Sequence, residues 1–183
     1  MQSKTDLSKF NNDWYKPGAP FLVRGIWYCV NWALFISYCP FNFLKVFFLR
    51  MFGAKIGSGV VLKPHVNIKY PWRLTIGDNS WIGEGVWIDN LDDVVIGANC
   101  CVSQGALLLC GNHDYKKQTF DLITGKIVLE DGVWIGAKAV VCGGVTCKSH
   151  SVLSAGSIAS DNLEAYSVYR GNPALKIKDR EIA

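Results

Sequence analysis

Isoleucine–glycine pairs at Ile56-Gly57, Ile76-Gly77 and Ile96-Gly97 recur at intervals of twenty residues, and a finer step of six runs inside each block. Aliphatic residues keep that step at Ile56, Leu62, Ile68, Ile76, Ile82, Ile88, Ile96, Val102 and Leu108, with two extra residues per block around Trp72-Arg73 and Asp92-Asp93. After an interruption the step resumes without extras at Leu129, Ile135, Val141, Cys147, Leu153 and Ala159. Four residues after many of these positions stands a small or branched residue: Val60, Val66, Ser80, Val86, Cys100, Ala106, Val133, Ala139, Val145, Ser151 or Ser157. A six-residue period does not match the 3.6-residue helix, and the Val, Ile, Trp and Gly that dominate it suit strands and turns.

The pattern predicts an all-β repeat, a left-handed parallel β-helix. Each six-residue unit makes a short strand and a turn, and three units close one triangular coil. The aliphatic residue points into the prism and the small one fits beside it near the corner. Glycine after the aliphatic residue is expected to supply backbone freedom at the bend. Stacked coils then hydrogen-bond rung to rung and bury a continuous stripe.

Three regions follow from where the repeat begins, breaks and ends. Residues 54–170 form the β-helix, with an inserted loop at 111–126; residues 171–183 form a basic tail, entered through the turn Gly171-Asn172-Pro173. Residues 1–53 lie outside the repeat, and 20–53 are apolar and aromatic, split by Pro40 and flanked by Arg24, Lys45 and Arg50. Two short helices on either side of Pro40 are predicted. The apolar run Ile26–Cys39 holds 14 residues, too short to span a bilayer. The helices are expected to cap the open first coil, to lie on a membrane surface as aromatic and basic segments do, or both.

The bulk numbers narrow the class. A chain of 183 residues fits one domain. A charge of only +4 with scattered lysines argues against a nucleic-acid partner. The seven cysteines include no CxxC pair and sit mostly among apolar residues, which predicts reduced thiols in a cytoplasmic protein. The first 18 residues are polar, so no cleaved leader is expected.

The insertion GNHDYKKQTFDLITGK is where a solenoid carries function, since insertions form loops on one face. His113 stands at its root, aimed by the rigid coil beneath, and imidazole accepts a proton at neutral pH. Asp114, or a backbone carbonyl, is expected to hold the other ring nitrogen; Asn112 completes the polar cluster. His65 and His150 read as corner residues. The three histidines fall in different coils, which argues against a shared zinc site.

The segments FLRMFGAKIGSGVVLKPHVNIKYPWRLTIGD, LLCGNHDY, FDLITGKIVLEDGVWIGAKAVV and YRGNPALKIK resemble the hexapeptide-repeat acyltransferases, in particular the sugar O-acetyltransferases of the colanic-acid biosynthesis branch. The resemblance covers nearly the whole chain. It implies a homotrimer, with acetyl-CoA as donor in a groove between neighbouring prisms and no metal. It casts His113 as the base that deprotonates an acceptor hydroxyl, which attacks the thioester directly in a ternary complex. It places Trp134 beside the active site, Ala137 and Ala155 where backbone meets pantetheine, and Ser160 at a further pantetheine contact. Pro173 falls near the adenine and Lys178 near the CoA phosphates. Two departures stand out: LSAG where IGAG is usual, and Asp161-Asn162 in place of a Lys-Asp pair. Asp89 and Asn90 are the candidates for a polar group assisting the base.

The implied function is acetyl transfer to a sugar hydroxyl of a bacterial exopolysaccharide or its lipid-linked precursor. The alternatives are N-acetylation of an amino sugar and a non-catalytic β-helix scaffold. The implied location is the cytoplasm, peripheral to the inner membrane if residues 20–53 touch lipid.

Overall fold

The computed structural model describes residues 4–183. Its body is a left-handed parallel β-helix with three sheets as faces. The first face stacks Lys55–Ile56, Leu74–Ile76, Val94–Ile96, Ile127–Leu129 and Thr146–Cys147. The second stacks Val61–Leu62, Trp81–Ile82, Cys101–Val102, Trp134–Ile135, Val152–Leu153 and Ser167–Gly171. The third stacks Asn67–Ile68, Trp87–Asp89, Leu107–Leu109, Val140–Cys142 and Ile158–Ala159.

The six-step residues meet in register. Ile56, Ile76, Ile96, Leu129 and Cys147 form one inward ladder, and Leu62, Ile82, Val102, Ile135 and Leu153 another. Ile68, Ile88, Leu108, Val141 and Ala159 form the third. All are buried, and full burial of one Leu or Ile stabilises by about 1.5–3 kcal/mol. The pairing of Ile96 with Leu129 spans the insertion, so the inserted residues leave the stack in register.

The corners correct one expectation. The residue needing a left-handed backbone is the one before the small residue, not the glycine after the aliphatic one. That position holds Gly59, Gly85, Gly105, Gly132, Gly144 and Gly156, but also His65, Asn79, Asn99, Lys138 and His150, all at positive φ. The glycine after the aliphatic residue is required for a different reason. A Cβ on Gly77 would sit 2.6 Å from the backbone of Gly97 and Ala98, and one on Gly83 2.8 Å from the Gln104 nitrogen. Coil stacking, not torsion, keeps those positions bare.

Two helical segments cover the open first coil. Helix α1, Phe21–Val30, runs into a wider helical turn at Asn31–Ile36; helix α2 is Asn42–Met51. Their side chains complete the edge hydrogen bonds that a preceding coil would have made. Asn42 accepts from the Leu62 N–H at 2.8 Å and donates to the Val60 carbonyl at 2.9 Å. Trp27 Nε1 donates to the Ile68 carbonyl at 2.9 Å, Lys45 Nζ to the Lys63 carbonyl at 3.1 Å and Arg50 to the Ile56 carbonyl at 2.8 Å. Burial pushes the Lys45 ammonium below its ordinary value. Trp27, Phe35 and Leu49 are buried, while Phe21, Leu22, Ile26, Trp32, Phe43 and Phe47 are exposed.

The C-terminal segment corrects a second expectation. Instead of trailing off as a tail, Ala174–Asp179 turns back at Asn172-Pro173 and pairs antiparallel with Ser167–Gly171. Arg180 then donates to the Gly132 and His150 carbonyls at 3.0 and 3.1 Å, pinning the end to two corners.

Candidate active site

The inserted loop is a hairpin. Gly111–His113 pairs antiparallel with Leu122–Thr124, setting Gly111 opposite Thr124 and His113 opposite Leu122. Gly125 N–H bonds to the Cys110 carbonyl at 3.0 Å, so the hairpin closes on the rung it leaves. His113 is half-buried at the end of the first strand.

The imidazole is held by Phe120. Nδ1 lies 2.9 Å from the Phe120 carbonyl oxygen, and the two rings stack at 4.5 Å with 10° between planes. A carbonyl only accepts, so Nδ1 carries the proton and neutral His113 presents its lone pair at Nε2. Of the two partners expected for the imidazole, the backbone carbonyl takes the place. Asp114 turns away, its Oδ1 accepting from the Lys116 N–H at 3.1 Å. Asn112 is exposed, and its Oδ1 accepts from the His113 N–H at 2.8 Å, fixing the backbone at the base.

Two contacts here were not read from the sequence. The Phe10 ring lies 5.9 Å from that of His113, and the Asp6 N–H donates to the Gln118 carbonyl at 2.8 Å. The N-terminal arm therefore crosses the hairpin. Tyr15 anchors it further on, donating to the Leu91 carbonyl at 2.7 Å.

Beneath the hairpin root lie the two candidates for an assisting group. Asp89 is buried and pairs with Lys69 Nζ at 2.8 Å. Its Oδ2 is 3.8 Å from where a Cβ on Gly111 would stand. Asn90 is fully buried and structural, exchanging hydrogen bonds with the Tyr70 backbone at 2.9 and 2.6 Å.

A groove of about 930 Å³ runs along the corner after the second face. Trp134, Ala137, Ala155 and Lys178 line it together, with Ser103 and Arg180. The folded-back C-terminal strand forms one wall. Trp134 is half-exposed, and its Nε1 donates to Ser103 Oγ at 2.9 Å, which sets the indole plane. Ala137 and Ala155 occupy equivalent corner positions on successive coils, leaving backbone accessible to a narrow ligand. Ser160 and Pro173 are exposed and lie outside this groove: Ser160 follows the last strand of the third face, bonded to Asp161 at 3.2 Å, and Pro173 sits in the C-terminal turn. His113 also lies outside it, at the corner after the third face.

The other histidines stay apart. His65 packs edge-on against Tyr38 at 4.1 Å, and His150 lies tilted on Tyr166 at 4.8 Å, each at its own corner. Burial pushes the Cys100 thiol up to about 11 and those of Cys110 and Cys147 up to about 12.

No family model matches the chain. It is 37% identical over 177 residues, 96% of this chain and 97% of the other, to a protein of Escherichia coli K12 named as the colanic acid biosynthesis acetyltransferase WcaF. Among solved structures, a hexapeptide-repeat-containing acetyltransferase from Vibrio cholerae, also determined with acetyl coenzyme A, superposes with a TM-score of 0.79 at 22% identity. In the complexed form the match covers 88% of both chains. A galactoside acetyltransferase in complex with coenzyme A superposes at 0.77 and 21% identity, covering 87% of this chain and 82% of the other. The 37% identity over nearly the whole of both chains, on a β-helix with a histidine at the root of an inserted hairpin, places this chain in the hexapeptide-repeat acetyltransferase family, with the colanic-acid biosynthesis acetyltransferases.

Proposed function

We propose that the protein transfers an acetyl group from acetyl-CoA to a saccharide hydroxyl, with His113 as the general base. The observation that carries this reading is the Phe120 carbonyl on Nδ1. It holds the neutral imidazole in the one tautomer whose Nε2 can take a hydroxyl proton, and among the described residues nothing hydrogen-bonds Nε2. The acceptor oxygen loses its proton to Nε2 as it attacks the thioester carbonyl. The carbon–sulfur bond breaks, and the coenzyme A thiolate takes the proton from His113 Nε2 and leaves as the thiol. No acyl-enzyme is needed. Base catalysis of this kind is worth roughly 10²–10⁴-fold, and holding both reactants in place adds to it.

Trp134, Ala137, Ala155 and Lys178 share one groove, which suits a long thiol arm with a phosphate-bearing end. His113 lies at another corner of the prism. The reading therefore requires a second copy of the chain to bring a hairpin to the groove, and a homotrimer arranges three such seams by symmetry. Ser160 and Pro173 would meet the coenzyme beyond the groove. The acceptor is a bacterial exopolysaccharide or its lipid-linked precursor.

The same reading places the protein in the cytoplasm, resting on the inner membrane. Residues 14–77 contain eight lysines and arginines and no aspartate or glutamate. Exposed aromatic side chains on α1 and α2 stand in that acid-free stretch, the combination that binds anionic lipid surfaces. No helix among the described residues is long and apolar enough to cross a membrane.

The test is acetyl-CoA calorimetry on wild type and His113→Ala, with sedimentation analysis and a screen of hydroxyl and amino-sugar acceptors. Binding retained in the variant, turnover lost and a trimer in solution support the reading. A folded protein that binds no acyl-CoA overturns it, and transfer only to amines would make the enzyme an N-acetyltransferase.

A further inference from the structure

A second pocket, of about 430 Å³, lies between α1 and the first rungs of the third face. Its polar and aromatic lining includes Arg24, Tyr28, Lys69, Tyr70, Trp87 and the buried Asp89. Trp27 and Asn31 also border it but are already committed to the backbone and side chains of the first coil.

The charges in this pocket do not balance. Asp89 is the only acid in the lining, and Lys69 already holds it at 2.8 Å. Arg24 is left over. Among the described residues it forms no ion pair, and its Nε is buried without a hydrogen-bond partner. Its guanidinium carbon stands 5.8 Å from the ring of Phe21, one turn earlier on α1, a contact that leaves its N–H donors unused. A buried, unpaired donor on a cation costs more than most unsatisfied groups. The planar fork of arginine matches the oxygens of a phosphate. In the same lining, Trp87 is 46% exposed and offers a flat apolar surface of the kind on which a pyranose ring rests.

The position of the pocket adds a direction. Trp87–Asp89 pairs with Leu107–Leu109, the rung from which the hairpin of His113 leaves. Asp89 is in register with Leu109, and its Oδ2 reaches under Gly111, two residues before the base. The opposite wall is α1, on which Phe21, Leu22 and Ile26 are exposed.

We propose that this pocket binds a phosphate-linked saccharide, with the phosphate on Arg24 and the sugar on Trp87 toward His113. It rests on the acetyltransferase reading above and names the class of its acceptor. The phosphate carries either a soluble leaving group or a lipid. In the lipid case the chain would exit past α1.

The experiment uses the full-length protein and calorimetry at low salt. The probes are inorganic pyrophosphate, glucose 1-phosphate and galactose 1-phosphate, with methyl glucoside as the neutral control. Acetyl-CoA is titrated in parallel. The expected result is that the phosphorylated probes bind about tenfold or more tighter than the glucoside, and that Arg24→Gln removes that preference. Arg24→Gln keeps its acetyl-CoA affinity. Trp87→Leu weakens the sugar phosphates while leaving pyrophosphate unchanged, a split that general unfolding would not produce. A polyprenyl-phosphate-linked glucose in detergent identifies the source: binding tighter than glucose 1-phosphate assigns a lipid carrier, and equal binding assigns a soluble donor. Absence of any phosphate preference, or a preference that survives Arg24→Gln, overturns the proposal. If acetyl-CoA binds in that case, the acetyltransferase reading stands without it.

Discussion

Phe120 holds His113 in two ways at once, by its backbone carbonyl at 2.9 Å from Nδ1 and by its ring stacked at 4.5 Å on the imidazole. Phe120 itself stands at positive φ, at the far side of the hairpin, so the hairpin closure and the tautomer of the histidine depend on the same residue. His113→Ala should lower the transfer rate by roughly 10²–10⁴-fold and leave acetyl-CoA affinity within about twofold. Steady-state kinetics beside calorimetry separates the two.

The groove makes a size-based prediction. Ala155 borders it on the last full coil and is exposed, in the space a pantetheine arm would need. Ala155→Leu should weaken acetyl-CoA binding by about tenfold or more without changing thermal stability, because the added carbons enter solvent-filled space rather than the core. Lys178→Glu should also weaken it, and the loss should shrink as salt is raised, since screening shortens the reach of an exposed charge. Titrations at two ionic strengths check both.

Asn42 imitates a strand. Its amide pairs with Val60 and Leu62 as a neighbouring backbone would. Asn42→Ala leaves a donor and an acceptor of the first coil unpaired and should cost about 1–3 kcal/mol in urea unfolding. Asn42→Asp, which keeps only the acceptor, should fall between.

The buried thiols predict an alkaline limit. Cys100, Cys110 and Cys147 have an ordinary value of 9.0 raised to about 11, about 12 and about 12 by burial. Above pH 9 the unfolded chain sheds these protons before the folded one does, so stability is full below that point and declines toward pH 12. Urea midpoints at pH 8 and pH 10.5 should show the drop. At pH 8, iodoacetamide should label the exposed Cys29 first and leave these three untouched until the chain is denatured, as read by mass spectrometry.

Glycine substitutions separate the two kinds of corner. Gly77→Ala should destabilise by about 1–3 kcal/mol, because its Cβ meets the next coil. Gly105→Asn, at a left-handed position that Asn79 and Asn99 fill elsewhere, should cost far less. Thermal melts of the two variants give the comparison.

How much of this the sequence disclosed depends on the range of the interaction. The inward ladders were legible because each aliphatic residue repeats its role every six positions, and burial enforces that spacing. The corner torsions were misread because glycine serves two purposes, and only the stacked coil shows which glycine lacks room and which lacks a permitted torsion. The C-terminal strand was hidden because its partner runs antiparallel, outside the six-residue rhythm. His113 was singled out as a candidate from its place at the root of the insertion. Phe10, Phe120 and Arg24 were not, since what they touch is set by chain closure over the hairpin and by α1 lying on the third face. No local period records either.

A parallel coil with bare ends is a template on which another copy can add, and nothing in a six-residue repeat specifies where to stop. Here Asn42, Trp27 and Lys45 occupy the hydrogen-bonding sites at one end. At the other, the strand Ala174–Asp179 runs the wrong way for a further rung on its face. The molecule is therefore a terminated polymer: its length is written in its two stoppers rather than in its repeat, and loss of the first stopper should turn a discrete enzyme into a fibre-former.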